Sequence, residues 1–208
     1  MKPSRWFSVV RAPVIVLAGA AHGNNVERYR QRWSRSRYLL FEPSPGYHPL
    51  LARFANDPLV TVTHKALSNE RGAATFYVNN LLRTSSLYPV NREDAYGISL
   101  AEREQITVET ETLDLFCAEQ GIDRIGFIEL DAQGGELNAL RGAQGLLERK
   151  AIECLMVEAF YTDVYQGIPL AAELHEFMTE MGYTCAGALP QRAWADGIKK
   201  WNDLIFHV

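Results

Sequence analysis

The sequence predicts a three-layer α/β fold built on a largely parallel sheet, and three observations lead there. Short apolar runs alternate with segments of helical periodicity along most of the chain. Two of the runs, Ile125–Leu130 and Ile152–Phe160, are apolar nearly throughout, as parallel strands covered on both faces must be. The connections are short, and the last two runs lack a helix between them, which points to an antiparallel pair at one edge.

The elements follow in order. Residues 13–18 form a β-branched run ending in Gly19-Ala20-Ala21-His22-Gly23, after which Asn24 or Asn25 starts a helix reaching about Trp33. A second strand over 38–41 ends on Glu42 and is stopped by Pro43-Ser44-Pro45-Gly46. A helix over 47–56 carries Leu50, Leu51 and Phe54 inward, and 59–64 alternates as a third strand. From about 73 to 110 the pattern changes: Thr75-Phe76-Tyr77-Val78 and Ile106-Thr107-Val108-Glu109 read as extra strands of an insertion over the sheet edge. A helix over 112–119 leads into Ile125–Leu130, and a further helix carries Leu137, Leu140 and Leu147. After Ile152–Phe160 come an amphipathic helix over 170–181, a strand over 183–186, a turn-rich stretch and a final strand over 204–208.

A chain of 208 residues, 47% of them hydrophobic, supports one core, so 1–208 reads as a single domain. The net charge of −4 and a pI near 5.8 argue against charge-driven nucleic-acid binding. The local cluster Arg28, Arg30, Arg32, Arg35, Arg37, interleaved with Tyr29 and Trp33, reads as a solvated helix face with its aromatics turned inward. Cys117, Cys154 and Cys185 are far apart and odd in number, which disfavours a disulfide framework or a zinc site. Asp57, Asp94, Asp163 and Asp196 show no metal-loop spacing, so no metal is expected. No apolar run reaches the ~20 residues of a membrane span. The start lacks a signal-peptide core, leaving the cytoplasm as the expected compartment. The sequence is silent on oligomeric state.

Two places carry chemistry. The run Ile125–Leu130 is followed by Asp131-Ala132-Gln133-Gly134-Gly135-Glu136, which sets carboxylates at the carboxyl edge of the sheet, where ligands of open α/β folds bind. Asp131 reads equally as the N-cap of the next helix. At the first two strands, the Gly19-x-x-x-Gly23 turn admits a ligand close to the backbone, and Glu42 can accept both ribose hydroxyls of a nucleoside. Their separation is close to the ~20 residues of such sites. The turn is neither a full Gly-x-Gly-x-x-Gly nor a P-loop, which favours a nucleoside whose tail is not a pyrophosphate.

The set Gly19-Ala20, Phe41-Glu42-Pro43-Ser44-Pro45, Lys65-Ala66-Leu67-Ser68, Arg71-Gly72, Ser85-Ser86-Leu87, Thr112-Leu113-Asp114, residues 128–136, Leu140-Arg141-Gly142-Ala143 and Val157-Glu158 resembles the FkbM-type family of S-adenosylmethionine-dependent methyltransferases. The resemblance runs from about Val14 to Val208. It implies the class I methyltransferase fold, a Rossmann-like, mostly parallel seven-stranded sheet with one antiparallel edge strand. It implies that Gly19, Ala20 and Gly23 line the methionine part of the cofactor S-adenosyl-L-methionine, that Glu42 holds its ribose, and that Pro43 and Ala66 shape the adenine pocket. Asp131 would face the cofactor's amino end or the acceptor as a catalytic residue with Glu136, and Gln133 and Glu136 would border the acceptor, a small molecule or saccharide methylated on a hydroxyl. Glu158, late in a buried strand, reads as a substrate residue at the site's edge or as half of an internal ion pair.

The family's usual Asp-Val-Gly-Ala-Asn-x-Gly is here Leu17-Ala18-Gly19-Ala20-Ala21-His22-Gly23, and the lysine of its Lys-x-Asp is Glu129. These departures motivate a second reading, a non-catalytic member serving as a binding or scaffold module. His22 could stand in for the missing amide or be a solvated bystander. His64 reads as a structural histidine, Ser85 and Ser86 as residues that order the insertion, and Tyr161 and Tyr165 as an acceptor wall or a cover for the sheet.

Overall fold

The computed structural model describes residues 13–91, 100–189 and 200–208. Seven strands form the main sheet in the order β3-β2-β1-β7-β8-β10-β9. They are β1 (Val14–Ala18), β2 (Arg37–Phe41), β3 (Val60–Thr63), β7 (Ile125–Leu130), β8 (Ile152–Phe160), β9 (Thr184–Ala188) and β10 (Trp201–His207). A second, three-stranded sheet orders β4 (Ala66–Leu67), β6 (Glu102–Glu111) and β5 (Gly72–Asn79).

Alternation along the central strands assigns the layers. Val16, Leu39, Phe41, Ile128, Leu130, Leu155 and Val157 face one side. There they meet α3 (Leu113–Glu119), α4 (Glu136–Arg141), α5 (Gln144–Glu148) and α6 (Ala171–Glu180) through Phe116, Leu140, Leu146, Leu147, Leu174 and Met178. Ile15, Leu17, Tyr38, Leu40, Phe127 and Met156 face the other side, against Val26, Tyr29 and Trp33 and against Leu51 and Phe54. These come from α1 (Asn24–Arg30), the turn after it, α2 (His48–Leu51) and the 3-10 turn Ala52–Phe54 that continues it. The basic cluster agrees with its expected form: Tyr29 and Trp33 are buried, and Arg30 pairs with Asp57 at 2.5 Å.

Three details correct the sequence reading. The segment 47–56 is a short α-helix tightened into a 3-10 turn, and Leu50 faces solvent, because only Leu51 and Phe54, three apart, share the sheet-facing side. The antiparallel pair does close one edge, but the reversed strand, β10, lies between β8 and β9, so the outermost strand is β9. Its mixed, half-exposed pattern suits an edge, whereas β10 buries Leu204, Ile205 and Phe206. Third, the insertion is paired over more than its apolar centre: Gly72 to Asn79 are matched with Thr110 to Glu102.

Several of the quoted motifs have structural work. Asp114 accepts the backbone N–H groups of Gly145 at 2.7 Å and Leu146 at 2.9 Å, capping α5. Glu111, buried, accepts Arg71 Nε at 2.7 Å and the Thr112 N–H at 3.0 Å, tying the second sheet to α3. A small core of Leu100, Phe160, Val164, Tyr165 and Ile168 packs with Leu81, Tyr88 and Val90 and docks the insertion on the end of β8. Among the described residues no helix is long and apolar enough to cross a membrane.

Candidate functional site

The carboxyl ends of β1, β2 and β7 open into one cavity, whose lining includes Gly19, Ala21, Glu42, Pro43, Ser44, Ala66, Asp131 and Gln133. The insertion supplies its other wall through Phe76, Leu82, Arg83, Ser85 and Leu87. Close packing of the first two turns fixes this arrangement. Gly19 has φ +74°, and a Cβ there would lie 1.8 Å from the carbonyl oxygen of Asp131, so only glycine lets the two strand ends approach. The Gly19 and Ala20 N–H groups both donate to Phe41 O, and Asp131 N–H donates to Ala18 O at 3.0 Å.

Glu42 is the polar centre of the cavity. It is 4% exposed, and Oε2 accepts the Ala21 N–H at 2.8 Å while Oε1 accepts the Ser44 N–H at 2.9 Å. Burial pushes its carboxyl up to about 7 against the pull of those two amides, with the nearby Asp131 charge adding to the rise. Each oxygen keeps further acceptor capacity. Beside it the Ser44 hydroxyl is buried and has no hydrogen-bond partner among the described residues. An orphaned hydroxyl next to a fixed carboxylate suits a ligand carrying hydroxyls and ring nitrogens.

At the end of β7 the alternatives for Asp131 separate. Helix α4 starts at Glu136 with Gly135 as its N-cap, so Asp131 caps nothing; it is exposed to the cleft. Protein crowded around its carboxyl raises its pKa, and the Gln133 hydrogen bond opposes that rise. Gln133 Nε2 donates to Asp131 Oδ1 at 2.6 Å and to Glu158 Oε2 at 2.7 Å. Glu158, 7% exposed, is held well above the ordinary carboxylate range by burial and by the charges of Asp131, Glu136 and Asp203.

The structure turns Glu136 away from the acceptor role that the resemblance implies. Its buried carboxylate accepts the N–H groups of Ala132 at 2.7 Å and Gly134 at 3.0 Å, closing the turn before α4, and burial pushes it up to about 8. Of the other expected site residues, Ala20, Gly23 and Glu158 do not line the cavity. Gly23 is covered: a Cβ there would sit 2.6 Å from the Phe54 ring.

Two of the altered positions are neighbours. Leu17 and Glu129 pair across β1 and β7. Leu17 is buried in the core, and Glu129 Oε1 accepts Asn25 Nδ2 at 3.0 Å, with burial pushing its carboxyl up to about 7. His22 is exposed and stacks edge-on against Tyr47, whose hydroxyl is raised by burial and by the Glu42 charge. His64 is exposed and lies against His48 with 3.6 Å between ring centroids, lowered by burial and by that neighbour. Ser85 and Ser86 order the insertion: Ser85 Oγ accepts the Asn79 N–H at 3.1 Å, and Ser86 Oγ donates to Gln133 O at 2.6 Å. Tyr165 is fully buried while Tyr161 is exposed, so the two do not form one wall. Sequence reasoning missed Ala21, Ser44, Tyr47, Leu82 and Arg83 as lining residues; Ser44, between Pro43 and Pro45, carried no role beyond the strand stop. Among the described residues no group of His, Cys, Asp or Glu is arranged to hold a metal ion, and Asp94 and Asp196 lie outside them.

With this geometry established, comparison with known proteins identifies the family. The chain is 28% identical over 173 residues to the 2-O-methyltransferase NoeI of Sinorhizobium fredii, a match covering 78% of this chain and 70% of NoeI. It is 28% identical over 155 residues to the methyltransferase sdnD of Sordaria araneosa, covering 62% of this chain and 60% of sdnD. The solved structure of Aeropyrum pernix fibrillarin, crystallised with natively bound S-adenosyl-L-methionine, shares the fold at 10% identity, with a TM-score of 0.50 over 96% of this chain and 68% of that one. The methyltransferase FkbM domain model matches residues 18–185, which span the glycine turn, Glu42, the insertion and Asp131, and the chain belongs to that family.

Proposed function

We propose that this methyltransferase uses S-adenosyl-L-methionine to methylate a hydroxyl of a small polar metabolite or saccharide. The observation that carries the reading is Glu42, a buried carboxylate aimed by two backbone amides beside a side-chain-free Gly19 and the unpaired Ser44 hydroxyl. Such a carboxylate accepts two vicinal hydroxyls in a charge-assisted, bidentate contact. The residues present fit the cofactor: Glu42 would hold the ribose, Ser44 and Pro43 would border the base, and Ala66, Leu67 and Phe76 would pack against it. When bound, S-adenosylmethionine supplies an electrophilic methyl group, to which the acceptor oxygen bonds as the sulfur–carbon bond breaks.

The chain's own residues then align and deprotonate. Positioning of acceptor and donor supplies much of the rate. Asp131, exposed to the cleft and within the same cavity as Glu42, takes the hydroxyl proton as general base. That NoeI is a 2-O-methyltransferase supports an oxygen acceptor. The whole chain, 1–208, acts as one unit in this reading, with the insertion forming the roof of the pocket.

The buried, apolar Leu17 and the side-chain-poor Ala21 favour a second reading, a binding module that keeps the pocket without turnover. Calorimetric titration with S-adenosylmethionine and its demethylated product, followed by transfer of labelled methyl to a panel of sugars and hydroxylated metabolites, tests both. Binding with transfer supports the enzyme, binding without transfer to any acceptor favours the module, and no binding at millimolar ligand removes the cofactor assignment.

A further inference from the structure

Resting on the methyl-transfer reading, we propose that Gln133 is a positioning residue whose single side-chain amide clamps Asp131 and Glu158 together, so that Asp131 presents an ionised carboxylate to the acceptor while Glu158 keeps a proton.

The geometry leaves that amide little choice. Its two Nε2 hydrogens are divided between Asp131 Oδ1 at 2.6 Å and Glu158 Oε2 at 2.7 Å. Its Oε1 accepts the hydroxyl of the fully buried Tyr165 at 2.8 Å, and that hydroxyl also lies 2.9 Å from Thr84 O. Turning the amide over would set its oxygen against two carboxyl groups. The backbone is equally committed: Gln133 has φ +52°, uncommon for a residue with a side chain, and its carbonyl accepts Ser86 Oγ at 2.6 Å.

Two carboxyl groups gathered on one neutral nitrogen do not both ionise readily. Of the pair, Glu158 is 7% exposed and Asp131 opens to the cleft, so the charge belongs on Asp131. The groups around the pair reinforce this. Glu136 on α4 and Asp203 on β10 raise Glu158, Asp203 and Glu158 act on Asp131, and across the cleft Glu42 and Tyr47 feel the Asp131 charge. Glu129 on β7 also faces Asp131, with Arg28 of α1 beside it, and Arg83 of the insertion lines the same cavity. The amide, and the acidic proton of Glu158, favour the ionised form of Asp131. The same residue joins the turn that carries Leu82 and Arg83 to the base, through Tyr165 and Ser86. The wall of the pocket and its base are therefore tied together by one residue, through its side chain and its carbonyl.

The test uses carbon-13 NMR of labelled carboxyl groups in the full chain without cofactor, so it does not depend on turnover. Asp131→Asn and Glu158→Gln assign the two resonances. In the wild type, Asp131 is expected to titrate below Glu158, and the reverse order overturns the proposal. In Gln133→Met, folding checked by circular dichroism, the Asp131 midpoint is expected to rise by about one pH unit; an unchanged midpoint in a folded variant overturns it. Glu158→Gln, whose amide is a weaker donor than the acidic proton it replaces, is expected to raise the Asp131 midpoint, and a lowered midpoint in the folded variant overturns the proposal. A wild type that fails to bind the cofactor but shows the expected titration order rejects the methyl-transfer reading and not the clamp.

Discussion

Ala21 donates its backbone N–H to Glu42 Oε2 across 2.8 Å, joining the turn after β1 to the acid that ends β2. Ala21 makes this contact from a left-handed conformation, φ +46°, which strains a residue with a Cβ and no local hydrogen bond to offset it. Ala21→Gly relieves that strain and keeps the N–H. It is expected to stabilise the protein by about 0.5–1 kcal/mol in urea unfolding, and a loss of stability would show that the turn is not strained here.

Glycine positions separate sterics from conformation. Gly19→Ala and Gly142→Ala drive a methyl to within 1.8 Å of Asp131 O and 1.9 Å of Ser68 O, both backbone atoms. Each is expected to cost more than about 3 kcal/mol. Gly121→Ala, at φ +63° with nothing within 4 Å, carries only the backbone penalty of about 1 kcal/mol. Equal losses at all three sites would contradict the close approach of the β1 and β7 ends at Gly19 and of the α4 end to Ser68 at Gly142.

Stability should fall as pH rises toward 8. Burial lifts the Glu42 and Glu129 carboxyls to about 7 and Glu136 to about 8, from an ordinary value of 4.5. These groups hold protons in the folded protein that the unfolded chain has released, so their contribution is complete below 4.5 and is lost through 7 and 8. A melting temperature that declines between pH 5 and about 8.5 is the expected result, and one that climbs over that range would contradict the burial of these acids.

The extent to which this was legible in the sequence differs from residue to residue. Ile125–Leu130 and Ile152–Phe160 were delimited correctly because burial on both faces leaves an unbroken apolar run. The 47–56 segment was not, because periodicity does not register that the chain tightens to a 3-10 turn after Leu51. The position of β10 inside β9 depends on which edge the chain returns to, which pattern alone does not encode. In the site, Gly19, Glu42, Pro43, Ala66, Asp131 and Gln133 do share a cavity. Glu136 was misplaced because an acid at a helix start reads the same whether it faces a ligand or its own turn, and the positive φ of Gln133 and Gly134 that turns it inward is not written in the residue types. Tyr165 reaches Gln133 from 32 residues away, a separation with no local signal.

Ser44 offers a probe of the cofactor pocket with little structural side effect. Its hydroxyl is buried without a partner among the described residues, so Ser44→Ala removes a desolvated polar group and should leave folding stability unchanged or slightly raised. S-adenosylmethionine affinity is expected to fall about 10-fold as a hydrogen bond to the ligand is lost. Affinity that survives intact would place the base elsewhere.

The most direct test of the account is calorimetric titration of S-adenosylmethionine into the wild type and Glu42→Ala at pH 8 and pH 6. In the proposed function Glu42 holds the ribose as a carboxylate, so the wild type should bind more weakly at the lower pH, below the value of about 7 to which burial lifts this group. Glu42→Ala should lose at least about 10-fold in affinity and, with it, the pH dependence. No binding by the wild type at millimolar ligand, or an unchanged affinity in Glu42→Ala, would contradict the central claim that Glu42 anchors the methyl donor.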